Sequence, residues 1–327
     1  MELDSYCKQH TTLSYCKKIN RTVPPTFCLG CQGDCEKWRK ESVLEYREKH
    51  TPKLTEEQKN DTDVVSVVMP ARDCEEPYIQ RTIDNLRKTA VGEIEIILIC
   101  DGWQGNYDCT MICSEQILGQ RASADIGAAH ATGKYIYRLD PHSAMSAGWD
   151  ARMKSSCGET DLIVPVYDHI DPETWEPTGK DTAFWWLDRN LRCYSIRPWI
   201  PIQQRKIEEE AMAMSGGAWM IHKKYYDKLG GHDQFLGPHG AVGPEWSLKV
   251  WLTGGRVLIR TDVVCSHLFR AKSPYGYDRL KRENAFAQLC KMWIDGEDKR
   301  RTRPIEWLLY KFNNYTKYRP VSKVTLR

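Results

Sequence analysis

Several features that would classify this 327-residue chain at once are missing from it. No stretch of about 18 apolar residues is present, so no segment reads as a membrane span. No apolar run precedes residue 60, so no export leader is read, and the expectation is a soluble, cytoplasmic protein with no membrane partner. No Gly-x-Gly-x-x-Gly follows the first strand-like run, which argues against a dinucleotide fold, and there is no Walker A motif. No internal repeat and no low-complexity tract interrupts the chain. Net charge is only +3, so the molecule is no polycation. Thirteen cysteines, an odd number without an export signal, point to reduced thiols or a metal site rather than to a disulfide framework.

Hydrophobic residues make up 41% of the chain, enough for a sizeable core. Twelve Trp and sixteen Tyr exceed what packing normally asks for, and a share of them is expected to line a cleft. Basic residues outnumber acidic ones from Lys281 onward: Lys299-Arg300-Arg301, then Arg303, Lys311, Lys317, Arg319, Lys323 and Arg327. That face could meet nucleic acid, another polyanion or only water.

Three regions are read. Residues 1–60 hold a Cys-rich head and a polar linker, 61–270 an alternating strand and helix pattern, and 271–327 a basic helical extension. In the head, Cys28-x2-Cys31-x3-Cys35 places three thiols within reach of one ion, with Cys16 as fourth ligand and Cys7 or His10 as substitutes. Tetrahedral Zn2+ is the expectation, because thiolates are soft ligands and so small a piece lacks its own core. An iron–sulfur cluster is the second possibility, and a Cys-rich tail without metal the third.

From Asp63 the expected order is a strand at Val64–Met69, a helix at Glu75–Thr89, a strand at Ile94–Cys100, a short helix opening at Ser114–Leu118 and a helix at Ala122–Ala131. Strands at Tyr135–Leu139 and Leu162–Val166 follow. This βαβα order implies an α/β fold with a largely parallel sheet, whose ligands bind beyond the C-terminal strand ends. Asp101 and Asp140 fall at two such ends. The second half is mixed: helices at Lys223–Leu229 and Pro244–Trp251, short strands at Val257–Arg260 and Val263–Cys265, and a long helical stretch from Leu280 to Ile294.

Leu139-Asp140-Pro141-His142 closes one strand with a carboxylate and an imidazole two residues apart. That pair suits Mn2+, and Mg2+ less well, held over a diphosphate, with His267 completing the set after the strand Val263–Cys265. Asp101 can accept hydrogen bonds from a base or ribose, and Arg121 can meet donor phosphate or base. Glu245, at the start of its helix, is either a dipole cap, an acceptor-binding group or a general base. Trp251 is a candidate for the cleft, with core packing as its alternative. Together these residues suggest a nucleotide-sugar transferase.

The chain resembles the GT-A glycosyltransferases, and within them the catalytic domain of the polypeptide N-acetylgalactosaminyltransferases, from about Asp63 to Arg270. The resemblance is carried by Leu139-Asp140-Pro141-His142 with Gly148-Trp149, by Pro165-Val166-Tyr167-Asp168, and by Ser215-Gly216-Gly217 with Leu229-Gly230-Gly231-His232-Asp233. Glu245 with Trp251-Leu252-Thr253-Gly254-Gly255, and Cys265-Ser266-His267-Leu268-Phe269-Arg270, complete it. It implies a UDP-sugar donor, Mn2+ on Asp140, His142 and His267, a uridine contact at Asp101 with Arg121 as an approximate match, and retention of the donor's anomeric configuration. The family is usually of the secretory pathway, with a membrane anchor and a lectin module. Pro141, Val242-Gly243-Pro244 and Phe184-Trp185-Trp186-Leu187 depart from its pattern, as does the Cys-rich head. A rebuilt acceptor side is therefore expected in a bacterial or phage-infected host cell. The expected acceptor is a 5-hydroxymethylpyrimidine in DNA, and the alternative a protein or cell-surface glycan. A non-catalytic nucleic-acid-binding protein on this fold is the further alternative.

Overall fold

A computed structural model describes residues 14–16, 21–23, 44–45, 47–180, 184–187, 191–196, 206–270, 274 and 279–312. The chain divides into two compact units, Met1–Pro52 with Thr178–Lys180, and Lys53–Pro177 with Asp181–Arg327. In the first, β1 (Ser14–Cys16) pairs antiparallel with β2 (Arg21–Val23). The cysteine side chains expected to bind zinc, those of Cys16, Cys28, Cys31 and Cys35, lie outside the described residues.

The second unit opens with α1 (Glu56–Asn60), started by a capping box in which Thr55 and Gln58 satisfy each other's backbone N–H groups. Then come β3 (Val65–Ala71), α2 (Glu76–Thr89), β4 (Ile94–Asp101), β5 (Thr110–Ser114) and α3 (Gln120–His130). Next are β6 (Tyr135–Leu139), β7 (Ser143–Met145), α4 (Trp149–Ser156), β8 (Asp161–His169), β9 (Phe184–Leu187) and β10 (Cys193–Ile196). The rest is β11 (Glu208–Glu210), β12 (Ala218–His222), α5 (Lys223–Leu229), α6 (Val242–Leu252), β13 (Arg256–His267), α7 (Arg279–Leu289) and α8 (Ile305–Lys311). The nine-stranded sheet runs β11-β13-β8-β12-β6-β3-β4-β5, with β7 added against β13. β6, β3, β4 and β5 are mutually parallel, as are β8 and β13. β12 runs antiparallel between β6 and β8.

Strand alternation builds a core on each face of the sheet. Val65, Val67, Met69, Ile96 and Leu98 bury themselves with Ile79, Ile83 and Leu86 of α2 and Met153 of α4. Val68, Ile97 and Ile99 point the other way, toward Ala128 of α3 and the larger cluster around Trp219, Trp246 and Trp251. Ala285, Leu289, Trp293, Ile305 and Leu308 belong to that same cluster, so the C-terminal helices close the core.

Three local expectations change. Thr110–Ser114 is a parallel edge strand beside β4, and no helix opens at Ser114. The backbone N–H groups of Leu118 and Gly119 are instead taken by the Asp101 carboxylate. The two short strands at 257–260 and 263–265 are one strand, β13, whose register shifts between Arg260 and Val264. Arg260 and Asp262 pair at 2.7 Å in that irregularity. The expected long helix from Leu280 splits into α7 and a π-helical turn at Cys290–Ile294. Much of the basic face is also spent internally. Arg300 pairs with Asp233 and Asp298, Arg301 donates to the Trp293 carbonyl, Arg303 donates to the Gly254 carbonyl, and Lys311 meets Glu210 at 2.6 Å.

Candidate active site

The parallel strands β3, β4, β6, β8 and β13 all end on one edge of the sheet, and the chemistry-bearing residues gather there. Asp140 follows β6, Asp101 ends β4 and His267 ends β13. Because β12 runs antiparallel, its start lies beside the end of β6, with Ala218 opposite Leu139. The carbonyl of Gly217, just before it, accepts the Asp140 N–H at 2.8 Å. A Cβ on Gly217 would stand 2.8 Å from Asp140 Oδ2, so only glycine leaves the carboxylate room.

Asp140, His142 and His267 each offer a ligand atom, all within 4.8 Å of one another. Asp140 Oδ2 lies 3.1 Å from His267 Nε2, and the two imidazole rings are 4.6 Å apart. Burial opposes charge on Asp140. The Arg138 guanidinium, 2.5 Å from Oδ1, and the His267 hydrogen bond prevail and hold the carboxyl well below the usual range. Burial pushes the His267 imidazole down, and His142 adds to this against the pull of Asp140. The result is an ionised carboxylate beside a neutral imidazole, the protonation states that ligate a cation. One carboxylate with two imidazoles fits Mn2+ better than the all-oxygen sets that Mg2+ prefers.

Glu75, Arg138 and Arg270 surround this triad, and sequence reading gave none of them a role, although Arg270 closes the segment 265–270 that it singled out. Glu75 follows β3 in a 3-10 turn and is 2% exposed. Its Oε2 lies 2.9 Å from His142 Nδ1, and Arg270 grips both of its oxygens at 2.9 and 2.6 Å. Burial would raise the Glu75 pKa, but Arg270 and His142 bring it down to about 2. Nothing local marked Glu75 out among Asp73, Glu75 and Glu76. Its partners lie 67 and 195 residues away.

A cleft extends from this triad past Pro70 and Arg72 to Asp101, Gln120 and His239. Asp101 is 3% exposed and accepts the N–H of Leu118 at 2.5 Å and of Gly119 at 3.1 Å.

Three residues expected in the site stand elsewhere. Glu245 is fully buried and pairs with Arg121 at 2.8 Å, accepts the Asp233 N–H at 2.6 Å and lies 3.6 Å from Lys249. Arg121 is equally buried, its other nitrogens bonded to the carbonyls of Gly237 and Gly240. Trp251 is 1% exposed, donates to the Ala211 carbonyl at 3.0 Å and packs against Trp307 and Phe312. None of the three lines the cleft. The chemistry expected of Glu245 as base and of Arg121 as phosphate contact needs a solvent-facing group, and neither provides one.

Residues 66–230, just over half of the chain, match the family described as glycosyl transferase family 2. The chain belongs to glycosyl transferase family 2. Among curated relatives, a polypeptide N-acetylgalactosaminyltransferase 5 of Caenorhabditis elegans is 32% identical over 52% of this chain and 29% of its own length. A putative polypeptide N-acetylgalactosaminyltransferase 9 of Drosophila melanogaster is 30% identical over 52% of this chain and 28% of its own. The chain therefore spans less than a third of these two relatives. A solved structure, GalNAc-T7 with UDP, GalNAc and Mn2+, superposes with a TM-score of 0.61 at 21% identity, over 92% of this chain and 62% of that one. This likeness establishes the GT-A fold.

The relatives overturn the cytoplasmic placement in a bacterial or phage-infected cell that was expected from the sequence. They are animal polypeptide N-acetylgalactosaminyltransferases, the family whose members are usually of the secretory pathway. Among the described residues, no helix is long and apolar enough to cross a membrane.

Proposed function

We propose that this family 2 chain transfers a sugar, an N-acetylhexosamine, from a UDP-sugar to a hydroxyl of a polypeptide, with Asp140, His142 and His267 holding Mn2+. The observation that carries the reading is the convergence of these three side chains at the C-terminal edge of the sheet. The polypeptide acceptor and the amino sugar rest on the names of the relatives. Those names lend no support to hydroxymethylated DNA, and the internal pairing of Arg300, Arg301, Arg303 and Lys311 removes much of the basic face that favoured it.

When bound, the ion would supply Lewis-acid stabilisation for a departing diphosphate. The protein's own residues do the rest. Arg138 keeps Asp140 ionised, Glu75 and Arg270 fix the surroundings of His142, and Pro70, Ala71 and Pro141 line the cleft beside them. Burial of Glu245 takes away the carboxylate that an inverting reaction would use as base, which supports retention of the anomeric configuration.

A mass-spectrometric assay with purified protein, Mn2+, a UDP-sugar panel, a Ser/Thr peptide pool and hydroxymethylated DNA tests this. The expected product is a peptide carrying one added N-acetylhexosamine. Transfer to DNA alone, or neither transfer nor UDP-sugar hydrolysis, would contradict the proposal. For the Cys-rich head, zinc on Cys16, Cys28, Cys31 and Cys35 stands on spacing alone. Elemental analysis is expected to find one zinc per chain, and none after all four are changed to Ser.

A further inference from the structure

At the end of the cleft away from the metal triad stands His239, on a loop with three positive-φ residues. Gly237 and Gly240 have φ of 86° and 88°, and Ala241, a residue with a side chain, has φ of 58°. The two glycines take positive φ without steric cost, but Ala241 does not, and its conformation needs support from its surroundings. The support is visible. Arg121 donates to the Gly237 carbonyl at 2.7 Å and to the Gly240 carbonyl at 2.5 Å, one on each side of His239. Its Nε meets Glu245, which also takes the Asp233 N–H ahead of the loop.

A second anchor comes from Gly119. Its φ is 91°, and a Cβ there would come within 2.3 Å of the Pro238 side chain, so Pro238 seats directly on the bare backbone. The same Gly119 N–H is held by Asp101. The loop, Gly119 and Asp101 thus form one assembly, and His239 projects from it into the cleft beside Gln120 and Arg72. Burial pushes the His239 imidazole down, and Asp101 is the carboxylate that opposes this. A neutral imidazole both donates and accepts a hydrogen bond.

We infer that His239 is a donor-site residue that hydrogen-bonds the nucleoside half of the nucleotide, and that the buried Arg121–Glu245 pair is the device that positions it. The inference rests on the proposed UDP-sugar function. The triad end of the cleft carries Asp140, His142 and Arg138, the groups suited to a cation and a diphosphate. The His239 end carries Gln120, Asp101 and an imidazole, which suit the edge of a base and a ribose.

The test is calorimetric titration of the full chain with UDP and, separately, with pyrophosphate, both with Mn2+. His239→Ala is expected to weaken UDP by about fivefold to tenfold, the scale of one lost hydrogen bond, and to leave pyrophosphate unchanged. His239→Asn, which keeps a donor and an acceptor, is expected to recover part of the loss and serves if the Ala variant melts early. Arg121→Lys, which cannot reach both carbonyls at once, is expected to reproduce the UDP-selective loss. Unchanged UDP affinity in His239→Ala, or an equal loss for both ligands, would overturn the inference alone. Absence of UDP binding by the unaltered protein would overturn it together with the function it rests on.

Discussion

Arg121 and Glu245 show what a charged residue does when the fold closes over it. Two opposite charges at 2.8 Å, both fully buried, survive because each makes further polar contacts. Arg121 reaches two carbonyls, and Glu245 meets a backbone N–H and Lys249. Removing one partner strands the other in the core. Arg121→Ala is expected to cost about 3–5 kcal/mol in urea unfolding, the range for a broken buried pair. A loss below about 1 kcal/mol would mean the pair is not the clamp described. Glu245 read as a candidate base, an acceptor-binding group or a dipole cap because it stands at the start of its helix. The sequence around it, Val-Gly-Pro-Glu-Trp-Ser-Leu, holds the opposite signal: apolar neighbours on all sides of one charge. Its partner at Arg121, 124 residues away, had no local mark.

At the scale of elements, Asp125 on α3 ties down the loop after α5. It accepts hydrogen bonds from the His232 N–H at 3.0 Å, from the Tyr226 hydroxyl and from Gln234. Burial would raise its pKa, but His232 and Tyr226 lower it below the ordinary Asp value. A depressed folded-state pKa contributes stability that is present above the unfolded value near 3.8 and is lost as pH falls through the folded one. Asp125→Asn is therefore expected to lower the melting temperature at neutral pH and to flatten the acid limb of the stability curve below about pH 4. An acid limb identical to that of the unaltered protein would contradict this assignment.

Elements with strong periodicity were legible from the sequence. The runs that became β3, β4 and β6 are β-branched or aromatic, and α2 and α5 carry clear apolar faces with Thr89 and Gly230 near their ends. The edge strand β5 was not legible, since Thr110-Met-Ile-Cys-Ser is too short to distinguish from a loop until β4 lies beside it. Nor was the direction of β12, which depends on its register against both β6 and β8. The triad could be read because Asp140, His142 and His267 each sit at a strand end. The residues supporting it, Glu75, Arg138 and Arg270, could not, because their roles exist only through contacts distant in sequence.

For the whole molecule, the C-terminal edge of the sheet and the loops around it form a cleft with two chemically different ends. One gathers a carboxylate, two imidazoles and Arg138. The other gathers Asp101, Gln120 and His239. The fold of glycosyl transferase family 2 places these ends at the C-terminal edge of parallel strands, where helix and strand ends leave polar groups without partners of their own. The most direct test of the triad is Mn2+ titration followed by electron paramagnetic resonance, with and without UDP, on the unaltered protein and on Asp140→Asn and His267→Ala. One Mn2+ per chain, tightened by UDP and weakened at least tenfold in both variants, is the predicted result. Equal Mn2+ binding by all three proteins would contradict the account of this site.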